Sequence, residues 1–364
     1  MRVFSISPGG VSESEAPPAQ LPSLGHIWIA CTRQEFEAGW QQLQATLQNL
    51  CGMQLVDLHV SDLLNAQLPS HFDYTSQYDL LVFRRLATGA SSAPDPERGS
   101  PRRGGPPILR HVDTSPVGFA VFERVLLTVH PADCAARDAY ASRLLQVQSN
   151  DVRSANSRLP TSPADLMLRI VNQMVDGFLE LRRELTRQLD HWQTELLNPR
   201  TRFNNWTALL NTRLALHQLD EICEDQRSAV QDWIEAVKTW PEANTPAAQR
   251  DRDLLLVRSR DLLEHIERVV HHVRRLEQSV ETAVQIHFNA QSNRTNDIMR
   301  TLTVLTAIFL PLNLIAGIFG MNFDAIPLIH SDSGFWWAMG SMGLTAVALV
   351  LLFWRKRYLE RSGR

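Results

Sequence analysis

Residues 301–323 contain no charged side chain, and neither do residues 333–354. A helix needs about 20 apolar residues to cross the hydrocarbon core of a bilayer. Helices buried inside soluble domains seldom run that far without a charge. The flanks agree with a membrane reading. Arg294 and Arg300 precede the first run, Arg355, Lys356 and Arg357 follow the second, and Trp336, Trp337 and Trp354 stand where interfacial aromatic belts form. Positive charge on the outer flank of both runs predicts two spans, with the chain before the first and the tail after the second both cytoplasmic. The link at 320–334 then lies outside, with Asp324, His330 and Asp332 as its ionisable groups.

Whole-chain averages conceal these runs. The 364 residues carry 36 basic and 39 acidic groups, for a net charge of −3. That balance excludes a whole-chain nucleic-acid binder, which would show a clear basic excess. The four cysteines form no CxxC pair, so neither a disulfide framework nor a cysteine zinc site is expected. HExxH, P-loop, nucleophile-elbow and paired-carboxylate signatures are all absent, and no enzyme is expected. Residues 1–23, rich in Ser, Pro and Glu without an apolar h-region, read as a flexible tail rather than a signal peptide.

Between Pro246 and Pro311 there is neither proline nor glycine, which predicts one long helix. Leu262, Ile266, Val269, Val273, Leu276, Val280 and Ala283 recur at 4-3 spacing, the pattern of helices associating along their length. One position away runs a polar line at the same spacing, from Asp261, Glu264 and Arg268 through Gln278 and Gln285 to Asn296. Continued into the first span, it passes through Met299, Thr303, Thr306, Leu310, Asn313, Gly317 and Gly320. An amide in mid-span is costly without a partner. Interhelical hydrogen bonding is one answer. A water-lined path is the other, and it accounts for Thr303, Thr306 and Asn313 together. Met299 and Leu310 would then be apolar constrictions that gate by dewetting. Two spans cannot enclose a pore alone, so transport requires a homo-oligomer.

The first span closes on Gly320-Met321-Asn322, in the setting Ser292-Asn293-Arg294-Thr295-Asn296, Met299-Arg300-Thr301-Leu302-Thr303, Ile308-Phe309-Leu310-Pro311-Leu312 and Ile315-Ala316-Gly317-Ile318-Phe319. This stretch resembles the CorA family of divalent-metal transporters, which includes the ZntB zinc transporters. Residues 57–86 and 117–130 are similar to that family's cytoplasmic region. The resemblance implies an α+β cytoplasmic domain, a long stalk helix and two transmembrane helices in a funnel-shaped homopentamer. It also implies a selectivity motif at Gly320, Met321 and Asn322, with Asn322 holding a hydrated ion at the outer mouth. Asn296, Met299, Leu302, Thr303, Thr306, Leu310, Asn313 and Gly317 would line the path beneath. The link reads Ile326-Pro327-Leu328-Ile329 where magnesium importers commonly carry Met-Pro-Glu-Leu, and Asn313 replaces a common threonine. These departures favour zinc or a broad divalent range (Mg, Zn, Co, Ni) over dedicated magnesium transport. The divalent cation is substrate, and no cofactor is expected. Lipid, divalent cations and further copies of the chain are the expected partners, and nucleic acid is not. The alternative function is a membrane-anchored scaffold or regulatory protein of this type without transport.

The expected organisation is a flexible tail at 1–23, an α/β domain at 24–160 and antiparallel helices at 163–240. A stalk at 246–322 runs into the first span at about 301–320, followed by the link at 320–334, a second span at 335–354 and a basic tail at 355–364. Residues 26–31 read as a strand and 34–50 as an amphipathic helix. Residues 87–107, rich in Gly, Pro, Ser and Arg, read as an insertion between strands. Asp176, Glu180 and Glu184 read as a solvated face. Asp261 and Glu264 are candidates for regulatory cation binding.

Overall fold

The computed structural model describes residues 1–87, 113–147, 159–197, 206–241, 245–321 and 334–356. The insertion expected at 87–107, apart from Ala87, lies outside them. So do Asn322, the remainder of the link with Asp324, His330 and Asp332, and the tail beyond Lys356. The chain forms two compact units, the first comprising Met1–Glu195 and Arg202–Glu281 and the second Leu196–Thr201 and Thr282–Arg364.

The first unit is built on a seven-stranded sheet: β1 (Arg2–Ser7), β2 (Gly10–Ser14), β3 (His26–Thr32), β4 (His71–Tyr74), β5 (Asp79–Leu86), β6 (Thr114–Val121) and β7 (Val125–His130). Their order is β2-β1-β3-β7-β6-β5-β4. Only β3 and β7 pair in parallel, with Ile27 opposite Val125 and Ile29 opposite Leu127; every other pairing is antiparallel. β3 and β7 read as near-continuous apolar runs because both their faces are covered.

One face carries α1 (Arg33–Cys51) and α2 (Asp57–Leu64). Thr32 and Glu35 form a reciprocal capping box at the start of α1, and Gly52, at φ 74°, ends it in the left-handed conformation. Phe36, Leu43, Leu47 and Leu50 of α1 join Val60 and Leu63 of α2 over Ile27, Ile29 and Leu127. Gly118 admits this close approach: a Cβ there would sit 2.1 Å from a Leu63 methyl.

The expected tail at 1–23 is corrected. Val3, Phe4, Ile6 and Val11 are buried, and residues 2–14 form a hairpin that extends the sheet beside β3. Phe4 stacks on Trp28 at 4.8 Å. Serine and glutamate at the alternate positions gave the segment a disordered composition, but alternation is what a half-buried strand requires.

α3 (Ala135–Val147) follows β7, with Tyr140 meeting Trp28 edge-on at 6.1 Å. Beneath it lies a closed polar chain. The Trp28 indole N–H donates to the Thr128 hydroxyl at 2.9 Å. That hydroxyl lies 2.7 Å from His130 Nε2, and His130 Nδ1 lies 3.0 Å from the Cys134 sulfur. The hydroxyl and the thiol can each donate or accept, so the neutral ring is held at both nitrogens whichever of them carries the proton. Burial, with Arg137 and Arg85 nearby, pushes His130 down to about 3. Burial and Arg124 push His26 down to about 4.

Three long helices complete the unit: α4 (Pro163–Leu197), α5 (Trp206–Thr239) and α6 (Pro246–Phe319) up to Glu281. α5 packs on the β4–β5 edge, where Phe72 meets Trp233 at 5.8 Å and Gln226 donates to the Arg84 carbonyl at 2.7 Å. α4 runs parallel to α6, as the Asp165–Arg258 ion pair and the Thr186–His272 contact at 2.8 Å record. α5 runs antiparallel, with the Trp233 indole donating to Ser259 at 3.0 Å and Arg274 meeting Asp220 and Glu224. The apolar stripe from Leu262 to Val280 is buried in this layer. The association along the helix that its 4-3 spacing predicts is met by packing within one chain.

The second unit holds the remainder of α6 and α7 (Gly334–Arg355), both long and apolar enough to cross a membrane. Pro311 stands inside α6 without ending it.

Candidate functional site

The polar 4-3 line on α6 keeps to one face of an unbroken helix. All its positions from Asp261 to Gly320 are exposed in the single chain, while the apolar stripe beside it is buried as far as Ala283. Within the first span the other faces are open as well: Leu305 is 52% exposed and Leu314 62%, beside Met299 at 61% and Leu310 at 67%, while Val304, at 4%, is buried. Asn296, Thr303, Thr306, Asn313 and Gly317 are likewise open, with Leu302 on the shoulder of the line.

The hydroxyls on this face have a defined polarity. Thr303 donates to the Met299 carbonyl at 2.8 Å and Thr306 to the Leu302 carbonyl at 2.9 Å. Each hydroxyl hydrogen is committed to the turn before, so the oxygen presents acceptor lone pairs outward. Pro311 brings no N–H to the carbonyl four residues earlier, at Ala307. Metal-bound water points its hydrogens outward, and acceptor oxygens are the groups that can receive them.

α6 ends at Phe319. The Gly320 N–H donates to the Ala316 carbonyl at 2.9 Å and the Met321 N–H to Ile318 at 3.2 Å. A Cβ on Gly320 would stand 3.1 Å from the Ala316 oxygen, so glycine lets the chain turn tightly there. Gly317 meets nothing within 4 Å and leaves its side of the span open.

Asp261 and Glu264 lie far down the same line. Glu264 pairs with Arg268 at 3.3 Å, and Asp261 lies 3.9 Å from His265. Among the described residues, no group of three or more His, Cys, Asp and Glu side chains could hold a metal ion. Of the three acidic residues read as a solvated face, Asp176 and Glu180 are exposed, while Glu184 is half-buried and pairs with Arg187 at 3.5 Å. The acceptor-only character of Thr303 and Thr306 went unread in the sequence. Its signal was there, because threonine in mid-helix bonds back to the carbonyl four residues before it.

α7 is open almost throughout, with Trp336 73% and Leu344 76% exposed. Water does not tolerate so large an apolar surface. An α/β portion, a long helix running into a first span and a second span after it define a two-span membrane protein.

The profile described as "CorA-like Mg2+ transporter protein" matches residues 27–357, and the chain belongs to that family. The family is one of transporters rather than enzymes. It places the two carboxyl-terminal spans in the plasma membrane and the amino-terminal portion in the cytoplasm. The chain is 25% identical over 194 residues to a cobalt/magnesium transport protein CorA of Thermotoga maritima, covering 53% of this chain and 52% of that one. It is 34% identical over 104 residues to a magnesium transport protein CorA of Haemophilus influenzae, covering 29% and 33%. These matches span about half and a third of the relatives' length. The complete structure of the CorA magnesium transporter from Methanocaldococcus jannaschii superposes with a TM-score of 0.71 at 18% identity, covering 100% of this chain and 98% of that one. That likeness is one of fold.

Proposed function

We propose that the chain carries divalent cations across the plasma membrane through a central path lined by α6 of five copies, the homopentamer that the family resemblance implies. The observation supporting this reading is the open line of Thr303, Thr306 and Asn313 through an otherwise apolar span. Hydroxyl and amide oxygens hold the first-shell water of a cation that dehydrates reluctantly, whereas a carboxylate ring would bind more tightly and slow release. Asn322 supplies the amide ring at the outer mouth, shaped by Gly320 and Met321. Met299 and Leu310 are constrictions that stay dry until the path widens.

The relatives named above are called cobalt and magnesium transport proteins, which supports a divalent substrate. The link lacks glutamate and Asn313 adds an amide in mid-path, so the preferred range is zinc or broad, including magnesium, cobalt and nickel. No titratable group lies between residues 301 and 323 to couple flux to protons. The membrane potential, worth about 2.3 kcal/mol per charge per 100 mV, then drives entry.

Metal uptake into proteoliposomes tests this. Asn322→Ala and Asn313→Leu are expected to cut flux about tenfold or more, since each removes one polar group per copy from the path. Unchanged flux in both would sink the pathway. Uptake of zinc against magnesium, with and without a pH gradient, decides the ion and the coupling.

A further inference from the structure

Pro311 lies inside α6, and the helix runs on past it to Phe319. Its ring nitrogen carries no hydrogen, so the Ala307 carbonyl lacks the main-chain donor that a helix ordinarily supplies. A carbonyl without a partner is costly within a bilayer. A serine or threonine hydroxyl, a neighbouring helix or water must take over that bond.

The hydroxyls of the spans are already committed. Thr301 donates to the Asp297 carbonyl at 2.8 Å, Thr303 to Met299 at 2.8 Å and Thr306 to Leu302 at 2.9 Å. On α7, Ser341 donates to the Ala338 carbonyl at 2.9 Å and Thr345 to Ser341 at 2.8 Å. The Asn313 amide is the other uncharged donor on the polar line of the span. It stands six residues beyond Ala307, about 9 Å along the helix, and parallel copies around an axis would keep it at that height. Water or a cation is left as the partner. Ala307 is half-buried in the single chain, one turn beyond Thr303 and beside Thr306. Thr303, Thr306 and Ala307 thus gather acceptor oxygens within about 6 Å of helix.

We propose that the Ala307 carbonyl, freed by Pro311, is a binding group of the conduction path and receives hydrogens from the water shell of a divalent cation. Its role rests on the path proposed above, to which it adds a main-chain ligand. The oxygen is fixed in the backbone and loses no side-chain rotamer freedom on binding. Substitution at residue 307 leaves it in place, so its sequence signal is the proline four residues later.

Two changes to the full chain test this in proteoliposomes. Pro311→Ala returns an N–H to residue 311, which can then claim the Ala307 carbonyl. The α-hydroxy analogue of isoleucine at 308 turns the amide between 307 and 308 into an ester, a weaker acceptor, with Pro311 and every side chain kept. Divalent-metal uptake is expected to fall about tenfold in Pro311→Ala and about threefold in the ester. Slow hydrogen exchange at residue 311 of Pro311→Ala is expected, because its N–H is held by the carbonyl. An ester placed at Phe309 weakens the Ile308 carbonyl, which the Leu312 N–H holds within the helix, and should conduct like the parent. Parent-like uptake in the 308 ester, or in an exchange-protected Pro311→Ala, overturns the proposal and leaves the conduction path standing. Equal loss in the two esters also overturns it, because the damage is then to the helix. A parent that carries no divalent cation, or flux undiminished in both Asn322→Ala and Asn313→Leu, removes the path and this ligand with it.

Discussion

Asn313 is the residue on which the conduction reading turns, because an amide exposed in the middle of a span has no reason to be there without water or a partner. Its neighbours up the line, Thr306 and Thr303, have given their hydrogens to Leu302 and Met299 and offer only oxygen. A ring of such groups receives water hydrogens without replacing the water. Substituting a carboxylate at this level alters that balance. Asn313→Asp is expected to lower the half-saturating cation concentration in vesicle uptake by about tenfold, and to reduce the maximal rate because release slows. A rate and affinity equal to the parent would show that residue 313 does not face the ion.

At the scale of elements, the sheet carries a pH dependence set by two buried histidines. Their folded-state values, about 4 for His26 and about 3 for His130, lie below the ordinary 6.5. The unfolded chain therefore binds protons that the folded chain refuses as pH falls below 6.5. Stability is fully present above that pH and is lost progressively towards the folded values. Asp79 acts in the opposite sense, because burial raises it to about 6 and its strain is relieved as pH falls through that value. Two losses against one gain predict a melting temperature that declines between pH 6.5 and 4. His26→Leu, which removes a ring whose Nε2 has no hydrogen-bond partner, should leave that decline nearly flat in thermal melts across the window. An unaltered slope would mean that other groups set it.

The hairpin of β1 and β2 belongs to this scale too. Its composition, read without a partner strand, gave no sign of order. Val3, Phe4 and Ile6 become a strand because Ile29, Trp28 and His26 stand opposite them in register. By contrast, β3 and α1 were legible to within a residue or two, expected at 26–31 and 34–50 and found at His26–Thr32 and Arg33–Cys51. A capping box and a left-handed glycine mark the ends of α1 locally.

For the whole molecule, a single chain leaves the polar line of α6 and nearly all of α7 open. Lipid can cover the apolar part but not Thr303, Thr306 and Asn313 (each such group in hydrocarbon needs water or a protein partner). Light scattering of the detergent-solubilised protein is expected to give a protein mass of five times 41.2 kDa. A monomer or dimer under conditions that support uptake would remove the central path.

Sequence alone determined what is local or cumulative along the chain. The uncharged runs, the proline-free and glycine-free stretch before Pro311 and the motif at Gly320, Met321 and Asn322 specified two spans, a long helix and the family. Each of these depends on neighbours in the chain or on transfer energies summed over a segment. Only the tertiary structure decided which faces are spent within the chain. The stripe from Leu262 to Val280 has the spacing of an intermolecular seam, yet α4 and α5 cover it. Spacing records that a face must be buried. It cannot record against what, because burial is satisfied equally by any apolar partner that the fold brings near.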